Sequence, residues 1–241
     1  MIALRRVLFA APVLSVGLAG ALAAQIPGMP LFTNPRYALG VRIHADIGRP
    51  TDTKTIGDIT VIQGGLGFAL GPVGIDANVG INKANFTAAQ GCFSSPTVNC
   101  GPQKVTVSAL AQLRLYGAGQ HALSLSAFGG ASLDVTGYDI SLGAAANKQL
   151  TIPVGAALGV HIPVGFGGLN LWGAPRFNLT RFVNCSGTCP SGTSGFRWAV
   201  GADLPIFRIL SVRAAYDSGR QSGVTSSFWG VGASIGIGGM R

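Results

Sequence analysis

YALGVRIHADIG, from Tyr37 to Gly48, sets Tyr37, Leu39, Val41, Ile43, Ala45 and Ile47 on one face of an extended chain. The other face carries Ala38, Gly40, Arg42, His44, Asp46 and Gly48. One side is wholly apolar; the other is small or charged. A strand in a soluble sheet runs about five or six residues, whereas a strand tilted across a bilayer needs about nine to eleven. This stretch is long enough to cross.

The same alternation recurs down the chain, at about residues 58–70, 73–82, 104–116, 121–135, 149–162, 168–182, 195–204, 209–217 and 226–238. Residues 73–82 show it most cleanly: Val73, Ile75, Ala77, Val79 and Ile81 oppose Gly74, Asp76, Asn78, Gly80 and Asn82. Long polar connections (49–57, 83–103, 136–148, 183–194, 218–225) alternate with short turns at Gly71–Pro72, 117–120, 163–167 and 205–208. That order predicts an all-β, antiparallel up-and-down transmembrane barrel of ten strands, with short turns inside and long loops outside. One hairpin more or fewer, giving twelve or eight strands, fits the same pattern.

Composition points the same way. Of 241 residues, 48% are hydrophobic and 10% charged, against about 25% charged in a soluble domain. Mean hydropathy is +0.44, yet polar residues and glycines interrupt every apolar run after the N-terminus, so no spanning helix is predicted. A soluble barrel of lipocalin type would have to show water its Gly, Ser, Asn and Thr faces, which hold no Glu and almost no Lys. The net charge of +9 includes Arg5 and Arg6; without them it is 9 − 2 = +7. The Arg residues are spread about one per strand instead of clustered, which argues against a nucleic-acid surface.

Residues 1–23 are expected to be a cleavable signal peptide: Arg5 and Arg6, then the apolar Val7–Leu22, then Ala21-Leu22-Ala23 as the cleavage motif. Residues 24–35 read as a Pro-rich periplasmic lead-in, and 36–241 as the barrel.

With the leader, the ten segments and the loop asymmetry in place, the chain resembles the small bacterial outer-membrane β-barrel proteins over nearly its whole mature length. The resemblance is architectural; no motif singles out one family. One departure is the end of the sequence, Ile237 to Arg241, where such proteins usually finish on an aromatic residue. The resemblance implies a bacterial outer-membrane location, lipid (including lipopolysaccharide) and the barrel-insertion machinery as partners, and a monomer. Aromatic residues predict two interfacial belts: Phe196, Trp198, Tyr216 and Trp229 outside, Tyr37, Phe68, Phe166 and Phe207 inside.

Three residue sets stand out. Cys92, Cys100, Cys185 and Cys189 fall in two external loops of an exported chain, where disulfides, most simply Cys92–Cys100 and Cys185–Cys189, outrank metal ligation. The inward face gathers Arg42, His44, Asp46, Asp76, Gln112, Arg114, Tyr116, His161, Arg176, Arg197, Asp203, Arg213 and Asp217. These fill a lumen with ion pairs, or line a narrow passage whose excess of Arg favours anions or small polar solutes. Arg49, Lys54, Lys83, Lys104, Lys148, Arg181 and Arg220 form an external basic rim suited to glycolipid phosphates.

The expected role is structural, or a passive pore, with no enzyme activity, no cofactor and no metal. A surface-binding protein using its pinned loops is the first alternative. A hydrolase resembling the omptin barrel proteases, with His44, Asp46 and Asp217 near the rim, is the second.

Overall fold

The computed structural model describes residues 28–37, 39–52, 58–85, 103–117, 121–134, 148–164, 168–183, 191–207, 209–221 and 224–237. These form ten strands: β1 Gly40–Pro50, β2 Asp58–Leu70, β3 Val73–Asn85, β4 Gln103–Tyr116, β5 Leu123–Asp134, β6 Lys148–Ile162, β7 Leu169–Val183, β8 Thr193–Pro205, β9 Leu210–Gln221 and β10 Val224–Ile237. Each pairs antiparallel with its sequence neighbour, and β1 pairs with β10 to close the barrel. At 11 to 15 residues apiece, all are long enough to span a bilayer.

The alternation decides which way each face points. Ile62, Leu66, Phe68 and Leu70 of β2 are 51–72% exposed on the outside, while Gln63 is 7% exposed on the inside. Val79, Val154, Leu158, Phe177 and Ile237 repeat this on other strands. A continuous apolar exterior around a polar interior is stable only against hydrocarbon. The protein is a membrane-spanning barrel of the bacterial outer-membrane type.

The outer belt is also present. Phe177 and Phe196 meet edge to face at 5.5 Å, Trp198 lies 5.7 Å from Tyr216, and Trp229 sits opposite Tyr216 in the ladder.

Three local readings change. The strand predicted from Tyr37 begins at Gly40, whose φ of +99° turns the backbone in a way L side chains rarely adopt. Tyr37 consequently points inward, 8% exposed, instead of joining the inner belt. Residues 218–221 and 224–225, expected in a loop, are the ladder ends of β9 and β10. And the register slips between Arg114 and Tyr116: Arg114 pairs with Ser126, but Tyr116 pairs with Leu125. This bulge turns Tyr116 out of the lumen, 55% exposed and stacked near His121 at 5.3 Å.

Candidate functional site

The interior is built from strand positions whose side chains alternate inward, so chain neighbours two apart and ladder partners across strands converge. On β1, His44 and Asp46 share the inward face. Arg213 of β9 grips Asp46 with both arms, Nε to Oδ1 and Nη2 to Oδ2, each at 2.6 Å. Gln63 Nε2 donates to the same carboxylate at 2.8 Å. Arg213 Nη2 also lies 2.6 Å from His44 Nδ1; with Arg as the donor, Nδ1 accepts and His44 Nε2–H is left to donate to Asp76 Oδ1 at 3.1 Å. Arg42 Nη2 donates to Asp76 Oδ2 at 2.5 Å. Thus Arg42, Asp76, His44, Asp46 and Arg213 form one chain of contacts across β3, β1 and β9.

Room for it comes from the facing strand. Gly232 is the ladder partner of Asp46, and a Cβ there would fall 1.9 Å from Asp46 Oδ1. No larger residue could stand there without moving the carboxylate.

A second cluster joins β7, β8 and β9. Asp217, fully buried, accepts from Arg176 Nη2 at 2.5 Å and from Arg197 Nε and Nη2 at 3.0 and 2.9 Å. Arg197 continues to Ser226 Oγ at 2.7 Å. Elsewhere, Trp172 Nε1 donates to Asp203 Oδ2 at 2.6 Å, and His161 contacts Asn170 at 2.9 Å.

The segment read from sequence as a periplasmic lead-in is, from Gly28 on, inside the barrel. At the external end, Met29 is 1% exposed and stands beside Gly48 of β1. Pro30 faces Gly230 of β10. Leu31 N–H donates to Asp217 Oδ2 at 3.3 Å, and the Phe32 ring lies under the Arg213 guanidinium at 4.4 Å. Lower down, Gln112 Nε2 donates to Asn34 O at 3.2 Å, and Arg114 Nη2 to Tyr37 O at 2.6 Å. Tyr37 OH donates to Pro72 O at 2.5 Å, and Arg36 Nη1 to His121 O at 2.5 Å, fastening the segment at the short-turn end.

The reason is chemical: this segment has little to add to a ladder, with Pro30 and Pro35 lacking N–H donors. Its exposed carbonyls and apolar side chains instead satisfy the inward Arg and Gln groups. Beside Met29–Phe32 and His44 a void of about 20 Å³ remains, and beside Tyr37 and Arg42 one of about 10 Å³. Each is room for about one water.

Of the thirteen residues expected on the inward face, all but Tyr116 point inward, but as two clusters and a lower ring about the segment. Asp217 is committed to Arg176 and Arg197, not to His44 and Asp46, so the three residues of the hydrolase alternative do not come together. Lys104, expected on the rim, is 4% exposed inside the barrel and ion-paired with Asp134, which also accepts from Thr106 Oγ1 at 2.8 Å. Its strand parity explains this: Gln103 faces out, Lys104 in. Arg49, Lys83, Lys148, Arg181 and Arg220 do lie on outward positions at the long-loop end. Lys54, the four cysteines and Phe166 fall outside the described residues, as do residues 1–27. Sequence reasoning places Gln63 and Trp172 on inward faces but does not give their partners, and it misses the Gly28–Tyr37 segment and the Lys104–Asp134 pair. The one available signal was the column of inward glycines, Gly48, Gly230 and Gly232, that makes space for something.

No protein-family model matches the sequence, and no curated protein matches it. In fold it is similar to several solved structures. The attachment invasion locus protein Ail of Yersinia pestis is 10% identical, with 83% of this chain and 99% of that one covered and a TM-score of 0.39. The β domain of the Bordetella autotransporter BrkA is 11% identical, covering 83% and 100%, at 0.49. The outer membrane protease OmpT of Escherichia coli is 10% identical, covering 83% and 95%, at 0.30.

Proposed function

We propose that this outer-membrane barrel is a non-enzymatic, structural protein held shut by its own N-terminal segment, and that it becomes a narrow passive pore only when that segment is withdrawn. The observation that carries the reading is the occupied lumen: Gly28–Tyr37 runs through the interior from Gly48 and Gly230 to Pro72, and the voids beside Met29–Phe32 and beside Tyr37, of about 20 and 10 Å³, hold about one water each. The anion preference expected from the Arg count loses its basis. Inward Arg42, Arg114, Arg176, Arg197, Arg213 and Lys104 are nearly balanced by Asp46, Asp76, Asp134, Asp203 and Asp217, six charges against five. An opened barrel should discriminate weakly between small ions.

Planar-bilayer recording on refolded protein tests this. The full barrel should give no steady conductance, and a barrel lacking residues 28–36, checked for heat-modifiable migration on a gel, should conduct. Steady conductance by the full barrel would overturn the closed reading; a silent, folded deletion variant would overturn the pore.

A further inference from the structure

We propose that the middle of the lumen is a binding site for a small, neutral aromatic amide, and that Leu31 and Phe32 of the chain's own segment fill it while the barrel is shut. This deepens the closed-pore reading and rests on the segment leaving. Two observations carry it. The first is a break in the alternation. Inward positions are mostly polar or glycine, yet β4 to β9 each turn an apolar side chain inward near mid-barrel: Leu110, Phe128, Ala157, Trp172, Ala199 and Ala215, all 0–5% exposed. Leu31 joins this cluster and Phe32 packs against it. These wall residues face away from the lipid, so hydrocarbon does not call for them, and a water-filled lumen would leave them as an exposed apolar patch. Their sizes are uneven. Leu110, Phe128 and Trp172 are large, whereas the alanines on β6, β8 and β9 leave the space that Leu31 and Phe32 enter.

The second observation is the set of polar groups at the edge of this hollow. The Arg213 guanidinium lies over the Phe32 ring at 4.4 Å, drawn to its π face. Leu31 N–H donates to Asp217 Oδ2 at 3.3 Å. Arg213 is already paired with Asp46, and Asp217 with Arg176 and Arg197, so neither calls for a ligand of net charge. A void of about 20 Å³ adjoins Leu31, Phe32, Leu110 and Arg213. The site therefore offers an apolar hollow, a cation for one ring face and an acceptor for one N–H. A sugar would leave hydroxyls unpaired against Leu110 and the alanines. A neutral molecule with a ring, an aliphatic arm and an amide N–H meets every element, as Leu31 and Phe32 do. The holds of Arg36 on His121 O and of Tyr37 on Pro72 O lie apart, at the short-turn end, so hollow and anchors can be altered separately.

The test uses the refolded barrel in lipid vesicles. Of its three tryptophans, Trp198 and Trp229 are changed to Phe, which leaves Trp172 in the belt as the reporter. The probes are N-acetyl-leucyl-phenylalaninamide, N-acetyl-glycyl-glycinamide and octanamide. In a barrel lacking residues 28–36 the leucyl-phenylalanine probe should shift Trp172 fluorescence and bind about tenfold or more tighter than the glycine probe, since it buries two more apolar side chains. The full barrel should bind it at least about tenfold more weakly, because the segment holds the place. Should the deletion variant not fold, Leu31→Gly with Phe32→Gly vacates the hollow and keeps the anchors at Arg36 and Tyr37. Ala199→Phe in the vacated barrel fills the hollow and should abolish binding. Equal binding of the two peptide probes, or binding indifferent to the segment or to Ala199→Phe, would overturn the proposal. Octanamide bound as tightly as the leucyl-phenylalanine probe would overturn its aromatic part. Binding and conductance are read separately: a silent variant that binds the probe overturns the pore alone, and a conducting variant that does not bind it overturns this site alone.

Discussion

Replacing Asp217 with Asn isolates the energetics of the filled lumen. Arg176 and Arg197 are direct ladder partners on β7 and β8, with side chains 0% and 4% exposed, and the Asp217 carboxylate lies between their guanidinium groups. Like charges directly opposite one another repel. At charge separations near 4 Å and an effective dielectric of 20, each attraction to Asp217 is worth about 4 kcal/mol gross. Desolvation of three buried charges offsets much of that, so the net loss on removing the acid is expected at about 3–5 kcal/mol, the range for breaking a buried pair. An amide keeps the shape and one acceptor, so the loss reports charge more than volume. Urea unfolding of the barrel in lipid vesicles, followed by tryptophan fluorescence, measures it. In an Arg197→Gln background the same change should cost at least about 1.5 kcal/mol less, because the repulsion it uncovers is gone. A loss below about 1 kcal/mol, the value of an exposed pair, would refute the buried-cluster account.

Three further outcomes follow from the geometry. Gly232→Val drives a branched side chain into the Asp46 carboxylate and should cost about 1–3 kcal/mol by the same urea assay. Val79→Arg, on the outward face in mid-strand, should cost about 2–4 kcal/mol in vesicles, since a cation there meets hydrocarbon. Tyr37→Phe removes the hydroxyl bonded to Pro72 O and should cost about 1 kcal/mol, with faster backbone hydrogen exchange in residues 28–37 as the local readout.

The ten strands could be read from sequence because the bilayer imposes period-two alternation on every crossing, and β3 shows it without a break from Val73 to Ile81. What escaped was set by contacts that leave no periodic trace. Tyr116 looked inward until the bulge after Arg114 shifted its parity. Tyr37 continued the alternation but stands before the turn at Gly40. The inward charges were visible as a set, yet their partners depend on register across strands: Asp217 meets Arg176, 41 residues away, and Arg213 meets Asp46 at a separation of 167. The segment around Pro30 and Pro35 has no alternation at all. Its place is dictated by the donors of Gln112 and Arg114 on β4 and the Asp217 carboxylate on β9, which only the closed barrel brings together.

The threaded segment is also coupled to the seam that closes the barrel. It is continuous with β1, and β1 forms that seam with β10. Its neighbours stand on both sides of that seam, Gly48 of β1 against Met29 and Gly230 of β10 against Pro30, so a sheet whose edges have not met offers the segment only part of its contacts. Seating the segment and closing the ring therefore reinforce one another, and a barrel without it leaves Gln112 and Arg114 short of the carbonyls they now bind.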